Sequence, residues 1–165
     1  MEVEGKAMQN GELSLQERFI EQMGLLAEDD DMPRISGRLW GLLLLEAGPF
    51  SFDELVDRLH VSRASVSTNV RFLEQRGFLE RTGRPGERQV YVRMTEDPFK
   101  GLIETVLRRK RRWLVVTSRM LKELPEDAEQ ARGRLRTMQR FHEMIIDTLE
   151  DTIALWDEVR DAAAT

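Results

Sequence analysis

Cysteine is missing altogether from this chain of 165 residues. Its absence removes disulfide scaffolds, thiol nucleophiles, zinc–thiolate sites and thiol-based redox sensing. Histidine is nearly as scarce: His60 and His142 are the only two, too few for a histidine-rich metal centre, so neither a metal nor any other cofactor is expected. No apolar run approaches the roughly 20 residues that a membrane-spanning helix needs; the densest is Leu39 to Leu45. The acidic start, Met1 to Asn10, lacks the basic and apolar regions of a signal peptide, and a cytoplasmic location away from membranes is expected. Catalytic signatures are also lacking. There is no HExxH, no phosphate-binding glycine loop and no Ser–His spacing suited to a nucleophile, so no catalytic residues are assigned.

What the chain has is charge and helix-forming sequence. Charged residues make up 33% and hydrophobic ones 41%, fitting a soluble, helix-rich protein with one compact domain, or a small domain plus an oligomerisation element. The net charge of −5 argues against a uniformly basic nucleic-acid binder, but the charge is uneven. Between Ser62 and Arg93 stand seven arginines (Arg63, Arg71, Arg76, Arg81, Arg84, Arg88, Arg93) against three acids (Glu74, Glu80, Glu87). A basic face on an acidic body favours local contact with DNA over indiscriminate adhesion.

Residues 1 to 11 are polar and read as frayed. From Leu13 to Glu28, Leu15, Phe19, Met23 and Leu26, widened by Ile20, mark the apolar face of a helix. A second helix starts near Pro33 and stops at Gly48-Pro49. Within it Gly37 and Gly41, four apart, predict close approach of another helix. Arg34 and Arg38 form a ridge suited to pairing with the acidic first helix.

The informative stretch is Ser51 to Met94. Ser51 and Glu54 form a capping box with Phe50 and Leu55 as its staple, and Ser62 caps the next helix with Val61 and Val66 as a second staple. Two helix starts so close leave room only for a short helix and a tight turn at His60-Val61. On a helical wheel, Val66, Val70 and Leu73 of the second helix, Arg63 to about Arg76, face inward. Ala64, Thr68, Arg71 and Gln75 face outward, flanked by Ser65 and Ser67. Small and hydrogen-bonding residues followed by an arginine suit a helix that enters the major groove. An ordinary exposed face would carry Glu and Lys there. Asn69, at the edge of the buried arc, fits packing as well as base reading. Phe78–Thr82 and Arg88–Val92 read as strands joined by a Pro- and Gly-bounded turn with Arg84 at its tip, placed for a minor-groove or phosphate contact. Helix, turn, helix and ribbon in that order make a winged helix-turn-helix.

Asp97-Pro98 starts a long helix that ends before Pro125. Its run Arg108 to Arg112 wraps the whole helix, so it cannot all face DNA; part of it is expected to balance the acidic first helix. In the last helix, Glu126 to Arg160, Phe141, Ile145, Thr148, Thr152, Leu155 and Val159 recur at alternating spacings of three and four, and Leu149, Ile153 and Trp156 broaden that packing face. So much apolar face calls for a partner, and a homodimer is expected. The expected fold class is mainly α (α+β). Its divisions are 1–48 for supporting and dimerising helices, 49–96 for the winged helix-turn-helix and 97–165 for C-terminal dimerisation helices.

The segment Met32 to Leu42 (MPRISGRLWGL), the reading-helix segment VSRASVSTNVRFLEQRGFLER and the wing together resemble the MarR-type winged-helix regulators. Within them the chain looks most like the branch named for the glycine-betaine regulator GbsR. The resemblance covers roughly residues 15 to 124. It implies a homodimeric, DNA-binding transcriptional regulator, usually a repressor, with an effector held between the dimerising and DNA-binding parts. Some relatives in that branch respond to choline or similar quaternary ammonium compounds. Such a cation needs an aromatic cage, for which Trp40, Trp113, Phe141 and Trp156 are the candidates here. For double-stranded DNA the contact set is Ser62, Arg63, Ser65, Ser67, Thr68, Arg71, Gln75, Arg84 and Arg88. The competing reading is a winged-helix protein-interaction module without DNA binding. It would place acids or bulky apolar residues on the reading helix; the small polar face and Arg71 argue against it.

Overall fold

A computed structural model describes residues 13–46, 48–83, 86 and 89–163. The elements among them are α1 (Leu15–Asp29), α2 (Arg34–Leu45), β1 (Phe50–Ser51), α3 (Phe52–Leu59), α4 (Arg63–Glu74), β2 (Leu79–Gly83), β3 (Val90–Met94), α5 (Pro98–Glu123) and α6 (Glu129–Ala163). The fold is mostly helical with a small sheet of strand order β1-β3-β2, as a winged helix-turn-helix requires. Arg84 and Arg88, and the segment read as a frayed start, lie outside the described residues. The chain divides into two compact units. One holds the described residues up to Phe72 with those of Arg81–Arg93; the other holds Leu73–Glu80 and the described residues from Met94 onward.

In the first unit, α1 opens with a capping box that the sequence reading passed over. The Ser14 hydroxyl accepts the Glu17 N–H at 3.2 Å, and the Glu17 carboxylate accepts the Ser14 N–H at 2.7 Å. The contact between α1 and α2 is built on glycine. A Cβ on Gly37 would stand 2.1 Å from the Met23 carbonyl oxygen, and one on Gly41 would touch the Met23 side chain at 3.0 Å. Gly24 of α1 contributes from its own side, where a Cβ would lie 2.8 Å from Cγ of Arg38. The face of α1 that packs here is Ile20, Gly24 and Ala27. The expected stripe therefore needs correction: Leu15 is 76% and Leu26 56% exposed, and Phe19 is also exposed. Backbones approach closely only along small residues, so α1 turns its Gly24–Ala27 edge inward and leaves the leucines outside. Arg34 and Arg38 do pair with the acidic helix, at 3.1 and 2.7 Å from Glu21.

The core of this unit is Leu39, Leu42, Leu55, Leu59, Val66, Val70 and Val92, all fully or almost fully buried. Each such side chain contributes about 1.5–3 kcal/mol relative to exposure. Ser51 and Glu54 form the expected capping box. The preceding residues also add a short strand that the sequence did not announce, with Phe50 opposite Val92 and Ser51 opposite Tyr91. His60 ends α3 in the left-handed region at φ 54°, which makes the turn tight enough for Ser62 to cap α4 at once.

In the second unit, Gly77 (φ 82°) passes so near α5 that a Cβ on it would lie 2.5 Å from the Gly101 carbonyl oxygen. The Thr95 hydroxyl donates to the Gly77 carbonyl at 2.9 Å. Helices α5 and α6 form an antiparallel hairpin, laced by Lys100–Asp157 at 2.7 Å, Arg111–Glu150 at 2.6 Å and Gln139–Ser118 at 2.8 Å. Part of the basic run is thus balanced by α6 rather than by α1, which takes its cations from α2. Within the chain, α6 packs through His142 and Ile146, with Leu149, Ile153 and Trp156 half-buried. The row expected to lead the packing includes Phe141, Leu155 and Val159, and these are all more than half exposed.

Asp97 fastens the open end of this hairpin. It caps α5 through the Lys100 N–H at 3.0 Å, accepts the Trp156 indole N–H at 2.9 Å and pairs with Arg160 at 2.9 Å. Burial pushes its carboxyl pKa up, but the Lys100 amide, the Trp156 N–H and Arg160 together outweigh that and hold it below the ordinary value of 3.8. A depressed carboxylate stabilises the fold fully above its unfolded pKa, and the contribution fades as pH falls through the folded one. Asp97→Asn is therefore expected to lower the melting temperature at neutral pH, with the gap to wild type closing below about pH 4. Thermal melts of both proteins across pH 2.5–7 would test this; a gap independent of pH would refute the charge argument.

Candidate nucleic-acid interface

Helix α4 carries the residues expected to meet DNA, and its two faces are chemically distinct. Val66, Val70 and Leu73 are buried, while Ala64, Thr68 and Arg71 are exposed, as the wheel requires. Gln75, one residue beyond the helix and in the second unit, is exposed too. Among the described residues Arg71 makes no ion pair or hydrogen bond, which leaves its guanidinium available for an external acceptor. The bidentate fork of arginine suits a guanine edge or a phosphate equally.

The remaining members of the set are differently placed. Ser62 and Ser65 share a hydroxyl–hydroxyl hydrogen bond of 2.9 Å, and the Ser62 hydroxyl accepts the Ser65 N–H at 3.1 Å. Their first task is to start the helix. Arg63 is tethered by an ion pair to Asp53 and lies over the Phe52 ring, 5.7 Å from its centroid. Ser67 is half-buried. Asn69 is 6% exposed and donates to the Ser65 carbonyl at 2.8 Å, so it braces the helix from within.

The sequence reading also missed a residue. Arg81 of β2 sits 5.7 Å from the same Phe52 ring, so one aromatic side chain gathers guanidinium groups from the reading helix and the wing. Such contacts are worth about 0.5–1 kcal/mol at exposed sites, less than the roughly 2 kcal/mol of rotamer entropy an arginine side chain carries, so they bias the two cationic side chains towards the ring without fixing them. Nothing in the sequence singled Phe52 out: three residues before Leu55 and seven before Leu59, it falls on the same helical face and reads as one more packing residue.

The four aromatics named for a cage fall in different surroundings, with Trp40 in the first unit and the other three in the second. Trp40 is buried in α2 at 9% exposure. Trp113 stacks on His142 at 5.6 Å, and His142 meets Phe141 at 5.5 Å. Trp156 is engaged instead with Asp97 and with Phe99 at 5.6 Å. Fourteen residues of helix separate Phe99 from Trp113, a rise of about 21 Å, so Trp156 and Trp113 do not line one cage. Among the described residues no cluster of His, Cys, Asp and Glu suits a metal ion, and no helix is long and apolar enough to cross a membrane.

The family model described as "MarR family" matches residues 32–89, which takes in α2, the two helices of the motif and most of the wing. Among curated proteins, the chain is 30% identical over 141 residues to the HTH-type transcriptional regulator MmpR5 of Mycobacterium tuberculosis, covering 85% of this chain and 86% of that one. Among solved structures, one described as a transcriptional regulator superposes with a TM-score of 0.76 at 29% identity, over 87% of this chain and 98% of the other.

Proposed function

The chain belongs to the MarR family, and from that premise we propose that it is a DNA-binding transcriptional regulator, a repressor, acting as a homodimer. The observation that carries this reading is the outward face of α4: Ala64, Thr68 and Arg71 are exposed, with the Arg71 guanidinium uncommitted among the described residues. In a two-fold dimer, two copies of α4 would enter successive major grooves about 34 Å apart. Arg63 and Arg81, gathered on Phe52, would serve the backbone beside each groove, with Arg84 and Arg88 on the wing. Leu15, Phe19 and Leu26 on α1, and Leu155 and Val159 on α6, are exposed apolar residues that a second copy would cover. Membership of the GbsR-like branch rests on the PRISGRLWG stretch of α2. A small effector would act by shifting the population between dimers whose reading heads fit the operator and dimers whose heads do not.

Footprinting on DNA upstream of the protein's own gene tests the proposal. A protected, roughly palindromic site with half-sites about one helical turn apart is expected, together with a dimer in sedimentation at micromolar concentration. A stable monomer, or protection without half-site spacing, would overturn it.

A further inference from the structure

The first turn of α3 carries two acids, Asp53 and Glu54. Glu54 turns back to accept the Ser51 N–H at 2.6 Å and completes the capping box. Asp53 reaches the other way and pairs with Arg63, the first residue of α4. A cation at a helix start opposes the helix dipole, whereas a carboxylate there is favoured, so Asp53 supplies the counter-charge that Arg63 lacks from its own helix. Both side chains are open to solvent, 64% accessible for Arg63 and 69% for Asp53. An exposed pair of this kind adds only modestly to stability, and it can be exchanged for another without disturbing the core.

The pair stands on the face proposed to meet DNA. Arg63 and Arg81 each lie 5.7 Å from the centroid of the Phe52 ring, and all four residues belong to the first unit. A guanidinium presents the same forked hydrogen bonds to a carboxylate as to a phosphate. Asp53 therefore offers Arg63 from within the chain what the DNA backbone offers from outside. Both anions are acceptors only, so neither can bond the other. To grip a phosphate, Arg63 must give up Asp53 or draw two negative groups together, and either course weakens the contact. The Phe52 ring biases the guanidinium towards this place whichever anion it faces.

We infer that Asp53 is an intramolecular competitor for the DNA backbone, acting through Arg63 to moderate the grip of the protein on any duplex. The inference rests on the regulator reading above. In free protein Arg63 is neutralised by Asp53; on DNA the pair opens and a phosphate takes the carboxylate's place. Phosphate contacts carry no sequence information, so the restraint applies to operator and unrelated DNA alike. It sets affinity and leaves discrimination between bases to the outward face of α4. Non-specific binding, which is almost wholly electrostatic, is thereby held down without any change to the base-reading residues.

The test is fluorescence anisotropy of the full-length protein with its footprinted operator and with scrambled duplexes. Asp53→Asn should bind both more tightly, by about tenfold at about 50 mM salt and about threefold at about 200 mM. Releasing Arg63 adds about one phosphate contact, so the slope of log K against log salt should steepen by about 0.9. In an Arg63→Gln background the same substitution should change affinity by less than about twofold, as expected when one residue acts through the other. Asp53→Ser, which also suits a helix start, should behave like Asp53→Asn, with the circular dichroism of wild type. Unchanged binding by both variants would overturn the inference. So would weaker binding, which would make Asp53 a guide that presents Arg63 to DNA. A gain confined to the operator would overturn it too, as would a gain that persists in full without Arg63 and so reflects plain repulsion. If wild-type protein protects its operator while the Asp53 variants gain nothing, the regulator reading survives and this one falls. Wild-type protein that binds no duplex at all would take both down.

Discussion

Gly37→Ala is expected to destabilise the protein by about 3 kcal/mol or more, the upper end for inserting one carbon into a packed site. For a chain of this size that corresponds to a fall in melting temperature of roughly 6–12 °C. The added Cβ would sit 2.1 Å from the Met23 carbonyl oxygen and 2.5 Å from the Ala27 Cβ. Neither a carbonyl nor a Cβ can rotate away, so α1 must shift bodily off α2. That shift would also strain the bridges from Arg34 and Arg38 to Glu21. Gly41→Ala is the control. Its nearest neighbours are Cβ and Cγ of Met23 at 3.0 Å, part of an adaptable side chain. The gain in helix propensity, about 1 kcal/mol for Gly→Ala, offsets most of that crowding. Melting both variants under the same conditions decides the matter, and equal losses would mean that the glycine crossing does not determine how α1 and α2 pack.

What the sequence made legible was whatever depends on short spacing. The capping box at Ser51, the cap at Ser62, the Val66–Val70–Leu73 face and the Asp97-Pro98 start are each settled within one or two helical turns, where few competing arrangements exist. The exposed faces of α1 and α6 show where that reasoning fails. Both helices have apolar residues on more than one side, and periodicity alone cannot say which side the same chain covers. In α1 the choice goes to Gly24 and Ala27 because small residues let α2 approach. In α6 it goes to the row through His142 and Ile146. The strand at Phe50–Ser51 was hidden for a different reason: two residues carry no periodicity, and their pairing with Tyr91 and Val92 is a contact between distant parts of the chain. Within the candidate interface the outward set of Ala64, Thr68 and Arg71 was readable from the wheel. The tethering of Arg63 by Asp53 and Phe52 was not, since it needs α3 and α4 placed in space.

That tethering shapes the second large expected effect. Arg71→Ala should lower affinity for the operator by roughly 5- to 150-fold per half-site, the range for losing one arginine contact of about 1–3 kcal/mol to a base edge. Arg71 is exposed and has no partner in the described chain, so its removal leaves no internal charge stranded, and circular dichroism and melting temperature should match wild type. Arg63→Ala is a different case. It would release Asp53 and uncover part of Phe52, so a smaller loss of DNA affinity should come with a measurable loss of stability. The salt dependence separates two roles for Arg71. If it reads a base edge, discrimination at one operator position relaxes while affinity for unrelated DNA holds. If it grips a phosphate, affinity falls for all sequences alike and the slope of log K against log salt shrinks by about 1. Fluorescence anisotropy with operator and scrambled duplexes at several salt concentrations tells these apart. An Arg71→Ala protein that binds its operator within twofold of wild type would show that the outward face of α4 is not what reads the DNA.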